Sequence, residues 1–256
     1  MKRVRILGVD IAAQSFEEAL GALLAAAAAR ERLRAHFCTV HSVVEAVGNP
    51  ELTNVFNTAT LTFTDGMPLV WVSRLRGARG AQRVCGPDVL PALADRGRAQ
   101  GLRHYFLGGA AGTPEAVAAS LTNRLPGLVV AGTHSPPFRA LSADEEASIV
   151  AAINASATDV VWIGLGSPKQ EFWAARFADQ LTAPLILPVG AAFDFHSGRL
   201  RRAPKWMHRL GLEWLFRLAM EPRRLWRRYL VTNLRFAWLL LREQASPRTR
   251  RPKGEG

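Results

Sequence analysis

Short apolar runs alternate with segments whose apolar positions recur three and four residues apart through the first two thirds of the chain. The runs "VRILGVDI", "HFCTV", "TLTFTD", "HYFLGG", "LVVAGTH", "DVVWIGLG" and "LILPVG" read as strands. Helical segments between them carry start signals. Ser15 with Glu18 forms a capping box ahead of "ALGALLAAAAA", and Thr113-Pro114-Glu115 opens "AVAASLTNRL". Strands and helices in alternation predict an α/β fold with a largely parallel sheet flanked by helices. The texture changes after Gly190. "AAFDFHSGRLRRAPKW" reads as a loop, while "MHRLGLEWLFRLAM" and "PRRLWRRYLVTNLRFAWLLLRE" read as two helices, with Pro222 suited to a first helical position. These breaks predict an α/β body over residues 1–198, a basic, aromatic-rich helical appendage over 199–244, and a disordered tail over 245–256, which has no apolar residues to bury.

The charge distribution sharpens that division. The 256 residues carry a net charge of +12. Residues 1–198 hold 17 Lys+Arg against 17 Asp+Glu, and residues 199–256 hold 16 against 4, so the whole excess sits in the appendage and tail. A neutral body suits chemistry, and a basic extension suits an anionic surface. The extension also holds Trp206, Trp214, Trp226 and Trp238, interleaved with Arg217, Arg223, Arg224, Arg227, Arg228 and Arg235. Aromatic rings and arginines on one amphipathic helix fit a bilayer interface, with Trp214, Arg223, Trp226, Arg228 and Trp238 as the candidate membrane contacts. No apolar stretch approaches the ~20 residues of a spanning helix, and no signal peptide is expected. Cys38 and Cys85 are far apart and form neither a CxxC pair nor a zinc pattern.

In an open parallel sheet, ligands bind where loops leave the carboxyl ends of the strands. "GLGSPKQE" is one such loop. Gly164 and Gly166 allow close backbone approach, and Pro168 at a first helical position leaves amides and the helix dipole facing an anion. The third glycine of a dinucleotide fingerprint and the GxxxxGK[ST] of a Walker loop are both missing. Lys169, Gln170 and Glu171 add a charge and hydrogen bonders for a phosphate or a sugar. Asp65, directly after "TLTFT", stands where a general base is useful or where an N-cap would serve the next helix. Thr39 and His41 follow another strand, Arg83 and Asp88 bracket Gly86-Pro87, and Asp194 follows the last strand. His41 has no triad pattern around it. There is no DxD, HExxH or paired-carboxylate loop, so neither a metal nor a cofactor is expected.

Taken together, "TDGMPLVW", "RVCGPD", "FLGG", "GLGSPKQEFW", "GAAFDFHSGRLRRAPKWMHRLGLEWLFRL" and "EPRRLWRRY" resemble, in order and spacing, the WecG/TagA/CpsF family of bacterial glycosyltransferases, over residues 4–235. The resemblance implies a Rossmann-like domain with an appendage that binds membrane and completes the site. It implies an inverting, metal-independent transfer of N-acetylmannosamine, its uronic acid or a related hexose from a UDP-sugar to a polyprenyl-diphosphate-linked saccharide, in cell-surface polysaccharide biosynthesis. The location implied is cytoplasmic, peripheral to the inner face of the cytoplasmic membrane, and a homo-oligomer is compatible with it. By position, Asp65 matches the catalytic base, with Thr39 near it. Arg83 matches a substrate-binding arginine, Gln170 lies near the sugar nucleotide, and Arg217, Arg224 and Arg227 lie near the diphosphate. His41 departs from the Asn that teichoic-acid members show there, which bears on the choice of sugar. Two other readings compete. A nucleic-acid-binding protein would use the basic tail on phosphates, without explaining the polar strand-end loops; a nicotinamide oxidoreductase would need the missing glycine.

Overall fold

The computed structural model describes residues 2–204, 207 and 211–245, apart from the side chains of Arg224, Arg227 and Arg228. Trp206 and the tail from 246 onward, both singled out in the sequence, lie outside the described residues.

The first apolar run is a hairpin and not one strand. β1 (Arg3–Ile6) and β2 (Val9–Ala12) pair antiparallel around Leu7-Gly8. Both turn residues have positive φ, 48° at Leu7 and 88° at Gly8, as a two-residue type I′ turn requires. From there helices alternate with parallel strands: α1 (Phe16–Ala29), β3 (Leu33–Cys38), α2 (Val40–Val47), α3 (Pro50–Asn57), β4 (Leu61–Thr64), α4 (Met67–Leu75), α5 (Gly86–Gly97), β5 (Arg103–Gly108), α6 (Thr113–Arg124), β6 (Val129–His134), α7 (Ala143–Ala155), β7 (Val160–Gly164), α8 (Lys169–Phe177) and β8 (Leu185–Pro188). The Ser15–Glu18 capping box opens α1 as its residues predict. After β8 the segment expected to be loop folds into the short helix α9 (Ala192–His196), and the appendage supplies α10 (Glu213–Met220) and α11 (Pro222–Ala245).

The eight strands lie in the order β1-β2-β4-β3-β8-β7-β5-β6, and every pair except β1–β2 is parallel. Successive side chains of the central strands point to opposite faces and are buried on both. Leu33, Ala35, Phe37, Val160, Trp162, Leu185 and Leu187 join the core beneath α1, α5 and α6, while Val161, Ile163 and Ile186 pack with α7 and α8. At ~1.5–3 kcal/mol for each large apolar side chain removed from water, this two-sided burial dominates the stabilisation. His104 shares the interior because its ring nitrogen accepts from the Trp162 indole N–H at 3.0 Å. Burial pushes its pKa down to about 4, which keeps it neutral.

β3 and β8 are neighbours, yet β3 runs into α2, which packs with α3 and α11, and β8 runs into α9, which packs with α5 and α6. Connections that leave adjacent strands for opposite faces open a crevice at the carboxyl end of the sheet. The appendage is tied to the same body. Phe236 of α11 is buried among Val4, Ile6, Val43 and Phe56, and Leu239 and Leu240 pack beside it. Glu243, near the end of α11, accepts from the Leu7 amide at 3.2 Å and pairs with Arg76.

Candidate active site

Thr39 and Asp65 stand side by side above the ends of β3 and β4. Cys38 pairs in register with Thr64, and the Asp65 amide donates to the Cys38 carbonyl at 2.8 Å. Thr39 is the N-cap of α2, its hydroxyl accepting from the Ser42 amide at 3.1 Å. Asp65 has no such duty. The N-cap of α4 is Gly66, and no side chain caps that helix, so the capping alternative for Asp65 does not hold.

What Asp65 meets instead is Arg83, whose guanidinium donates to it at 3.3 Å and to Glu213 of α10 at 2.5 Å. Arg202 pairs with Asp88 at 2.6 Å and lies 3.9 Å from Glu213. Three carboxylates thus share two guanidiniums, with Asp65, Arg83 and Glu213 mostly enclosed and Asp88 nearer the surface. Burial, opposed by the Arg83 charge and reinforced by Glu213 and Asp88, pushes Asp65 up to about 7. A carboxyl poised there can exchange a proton near neutral pH. Arg83 moves the other way from a buried cation: against the downward pull of burial, the Cys85, Asp65, Glu213 and Asp88 side chains raise it. Asp88, drawn down by the Arg202 and Cys85 hydrogen bonds against the upward pull of burial, is a structural partner of Arg202 and does not pair with Arg83.

The "GLGSPKQE" loop crosses from β7 to α8. Gly164 and Gly166 do different work in it. A Cβ on Gly164 would lie 2.7 Å from the Phe193 ring, so its missing side chain makes room for α9. A Cβ on Gly166, at φ +79°, would meet nothing within 4 Å, so this position faces open space. Pro168 takes the N-cap position of α8 rather than its first turn, and the helix opens at the exposed Lys169. The amides behind it are partly engaged, since the Gln170 N–H donates to the Gly166 carbonyl at 2.9 Å and the Phe172 N–H to the Pro168 carbonyl at 3.2 Å. Gln170 and Glu171 turn inward. The Gln170 amide donates to Glu171 Oε1 at 3.0 Å and packs under Gly190 at the end of β8. Gln170 Oε1 and Glu171 Oε2 are buried without a hydrogen-bond partner among the described residues. An unmatched buried acceptor costs ~1–3 kcal/mol, which a ligand donor would recover. Burial also raises the Glu171 pKa, against the hydrogen bond from Gln170.

The remaining candidates surround the same mouth at varying distance. His41 lies in the first turn of α2, half-buried, and its ring sits 3.6 Å from Glu45 one turn on. Asp194 is in the first turn of α9, with its carbonyl accepting from the Leu200 amide at 3.0 Å. Arg217 of α10 stands 5.7 Å over the Phe195 ring, which carries an appendage guanidinium to the α9 side of the crevice. The side chains of Arg224, Arg227 and Arg228 lie outside the described residues. Among the described residues no group of three or more His, Cys, Asp and Glu is arranged to hold a metal ion.

On the appendage, Trp226, Leu230, Leu234, Trp238 and Leu241 are each at least half exposed and follow one another at helical spacing along α11. Trp214, Leu215 and Met220 of α10 add exposed apolar surface, Arg223 is exposed, and Arg242 lies 4.7 Å over the Trp238 ring. No helix among the described residues is long and apolar enough to cross a membrane.

Sequence reasoning missed Glu213 and Arg202. Glu213 is one of only four acids among the last 58 residues, and that rarity in a basic segment was the available signal.

The chain is 30% identical over 202 residues to the N-acetylglucosaminyldiphosphoundecaprenol N-acetyl-beta-D-mannosaminyltransferase of Bacillus spizizenii, covering 79% of this chain and 76% of that one. It is 28% identical over 210 residues to the enzyme of the same name from Bacillus subtilis, covering 82% and 79%. Residues 4–250, from the hairpin through the appendage, match the model of the glycosyl transferase WecG/TagA/CpsF family. A match of that extent settles the lineage of the crevice and its enclosing helices: the chain belongs to the WecG/TagA/CpsF family and is a glycosyltransferase.

Proposed function

We propose that the chain transfers a sugar from a UDP-sugar, with inversion and without a metal, to a polyprenyl-diphosphate-linked saccharide at the inner face of the cytoplasmic membrane. The names of the two relatives favour N-acetylmannosamine as the sugar and N-acetylglucosaminyl-diphosphoundecaprenol as the acceptor. The observation that carries the reading is Asp65: a strand-end carboxyl free of capping duty, held by Arg83 and raised to about 7.

In this mechanism Asp65 takes the proton of the acceptor hydroxyl as its oxygen attacks the anomeric carbon from the face opposite UDP. The new C–O bond forms as the bond to the diphosphate breaks, and the electron pair leaves with UDP. The open Gly166 backbone, Lys169 and the buried Gln170–Glu171 pair bind the sugar nucleotide, and Arg217, with Arg224 and Arg227 of the appendage, offsets the growing diphosphate charge. Thr39 helps to orient the acceptor beside the base, and Asp194 and His41 border the sugar. Trp214, Arg223, Trp226, Arg228 and Trp238 rest at the headgroup level, where a lipid-linked acceptor is found.

The test is incubation of the full chain with UDP-N-acetylmannosamine and a short-chain N-acetylglucosaminyl-diphospholipid in EDTA, with UDP-N-acetylglucosamine, UDP-glucose and NAD as controls. The expected outcome is UDP release with formation of one β-linked disaccharide lipid. Retention of the donor's anomeric configuration, or loss of turnover in EDTA, would rule out the mechanism as stated.

A further inference from the structure

The Arg83 guanidinium is divided between two carboxylates that come from opposite ends of the chain. Asp65 belongs to the body at the end of β4, and Glu213, 130 residues beyond Arg83, opens α10 of the appendage. The bond to Glu213, at 2.5 Å, is much shorter than the 3.3 Å bond to Asp65. All three side chains are mostly enclosed, at 14–18% exposure, so their interaction is weakly screened. Arg202, 3.9 Å from Glu213 and bound to Asp88, closes the far side of the cluster.

We propose that Glu213 is a positioning residue of this transferase: from the first turn of α10 it holds Arg83 and limits the guanidinium's hold on Asp65, so that the charge state of the base depends on the seating of the appendage. The inference rests on the reading of Asp65 as the base, and it adds a coupling between membrane-facing helices and proton transfer. Without Glu213, Asp65 would be the one carboxylate among the described residues paired with Arg83, and a nearby negative charge would be gone. Both changes favour the ionised form of Asp65. With Glu213 in place, the base keeps its proton to higher pH and loses it where a substrate hydroxyl can be deprotonated in turn. The charged and titratable groups facing Asp65 are Arg83, Glu213 and Asp88, with the buried Cys38 and Cys85 thiols beside them.

The experiment is a pH titration of the Asp65 carboxyl carbon by NMR on the full chain, with the signal assigned from its absence in Asp65→Asn. The wild-type midpoint is expected at about 7. In Glu213→Gln it is expected to fall by roughly half a unit or more. Glu213→Asp keeps the charge but draws it back by one methylene, so its midpoint should lie between the two. If Glu213 only staples α10 to the body, either variant melts earlier while the Asp65 midpoint stays at the wild-type value. That result, in whichever of the two variants folds, overturns the proposal. The readout needs no substrate. Transfer activity surviving in Asp65→Asn would therefore refute the base and leave the measured coupling standing.

Discussion

As the proposed base, Asp65 carries opposite consequences for stability and for catalysis. Its carboxyl is raised from an ordinary 3.8 to about 7, first by burial and then by the neighbouring carboxylates. Between those two values the folded chain holds a proton that the unfolded chain has released, so stability falls as pH rises from about 4 to about 7. Asparagine keeps the shape and cannot ionise. The melting-temperature difference in favour of Asp65→Asn is therefore expected to grow from about pH 5 to about pH 8, and a constant difference would contradict the raised carboxyl. Transfer should behave in the reverse sense. Wild-type turnover is expected to rise with pH through a midpoint of about 7, and the Asn chain should be ~10²–10⁴-fold slower above that midpoint, with the deficit shrinking as pH falls below it.

The loop between β7 and α8 joins a packed glycine to an open one within one element. Gly164 answers to Phe193 beneath it, whereas Gly166 answers to the open space above it and to its own positive φ. Gly164→Ala should cost ~1–3 kcal/mol through overpacking, because the ring and β7 must part. A variant that melts like the wild type in a thermal scan would show that the ring does not press on this position. The sequence revealed this element and most others, since buried strands and capped helices write themselves in local periodicity. The placement of Asp65, Thr39 and Gln170 was legible for a related reason: the sheet sends its strand ends to one edge, and each lies just beyond a strand or in the helix that follows. The Leu7-Gly8 hairpin was missed because its first turn residue is neither Asn, Asp nor Gly, so nothing local announced a reversal. The short helix α9 was missed because Gly190 and Gly198 made its surroundings look like loop. The Arg83–Glu213 pair was invisible because no periodicity relates residues that meet only through tertiary packing.

At the scale of the whole molecule, α11 serves two masters along its length. Phe236, Leu239 and Leu240 are inward, fixed to the hairpin and α2, while Trp226, Leu230, Leu234, Trp238 and Leu241 face out. Deleting the appendage to test membrane binding would strip the cover from the core beneath Phe236. Losing a buried Phe alone costs ~3–5 kcal/mol, so the truncated chain would report on folding as much as on binding. Substitution of the outward face separates the two. Trp226→Ala, Leu230→Ala and Trp238→Ala together remove side chains that are at least half exposed, at 50%, 56% and 52%, and should lower the melting temperature far less than truncation of the appendage would. Sedimentation with vesicles containing anionic phospholipid should show binding reduced about tenfold or more, since insertion of those side chains supplies the apolar part of the attachment. Added salt should weaken the wild-type chain as well, because each arginine near the surface contributes ~1 kcal/mol that counter-ions screen. Binding that ignores both the triple substitution and salt would place the membrane contact elsewhere and leave the outward stripe of α11 to some other partner.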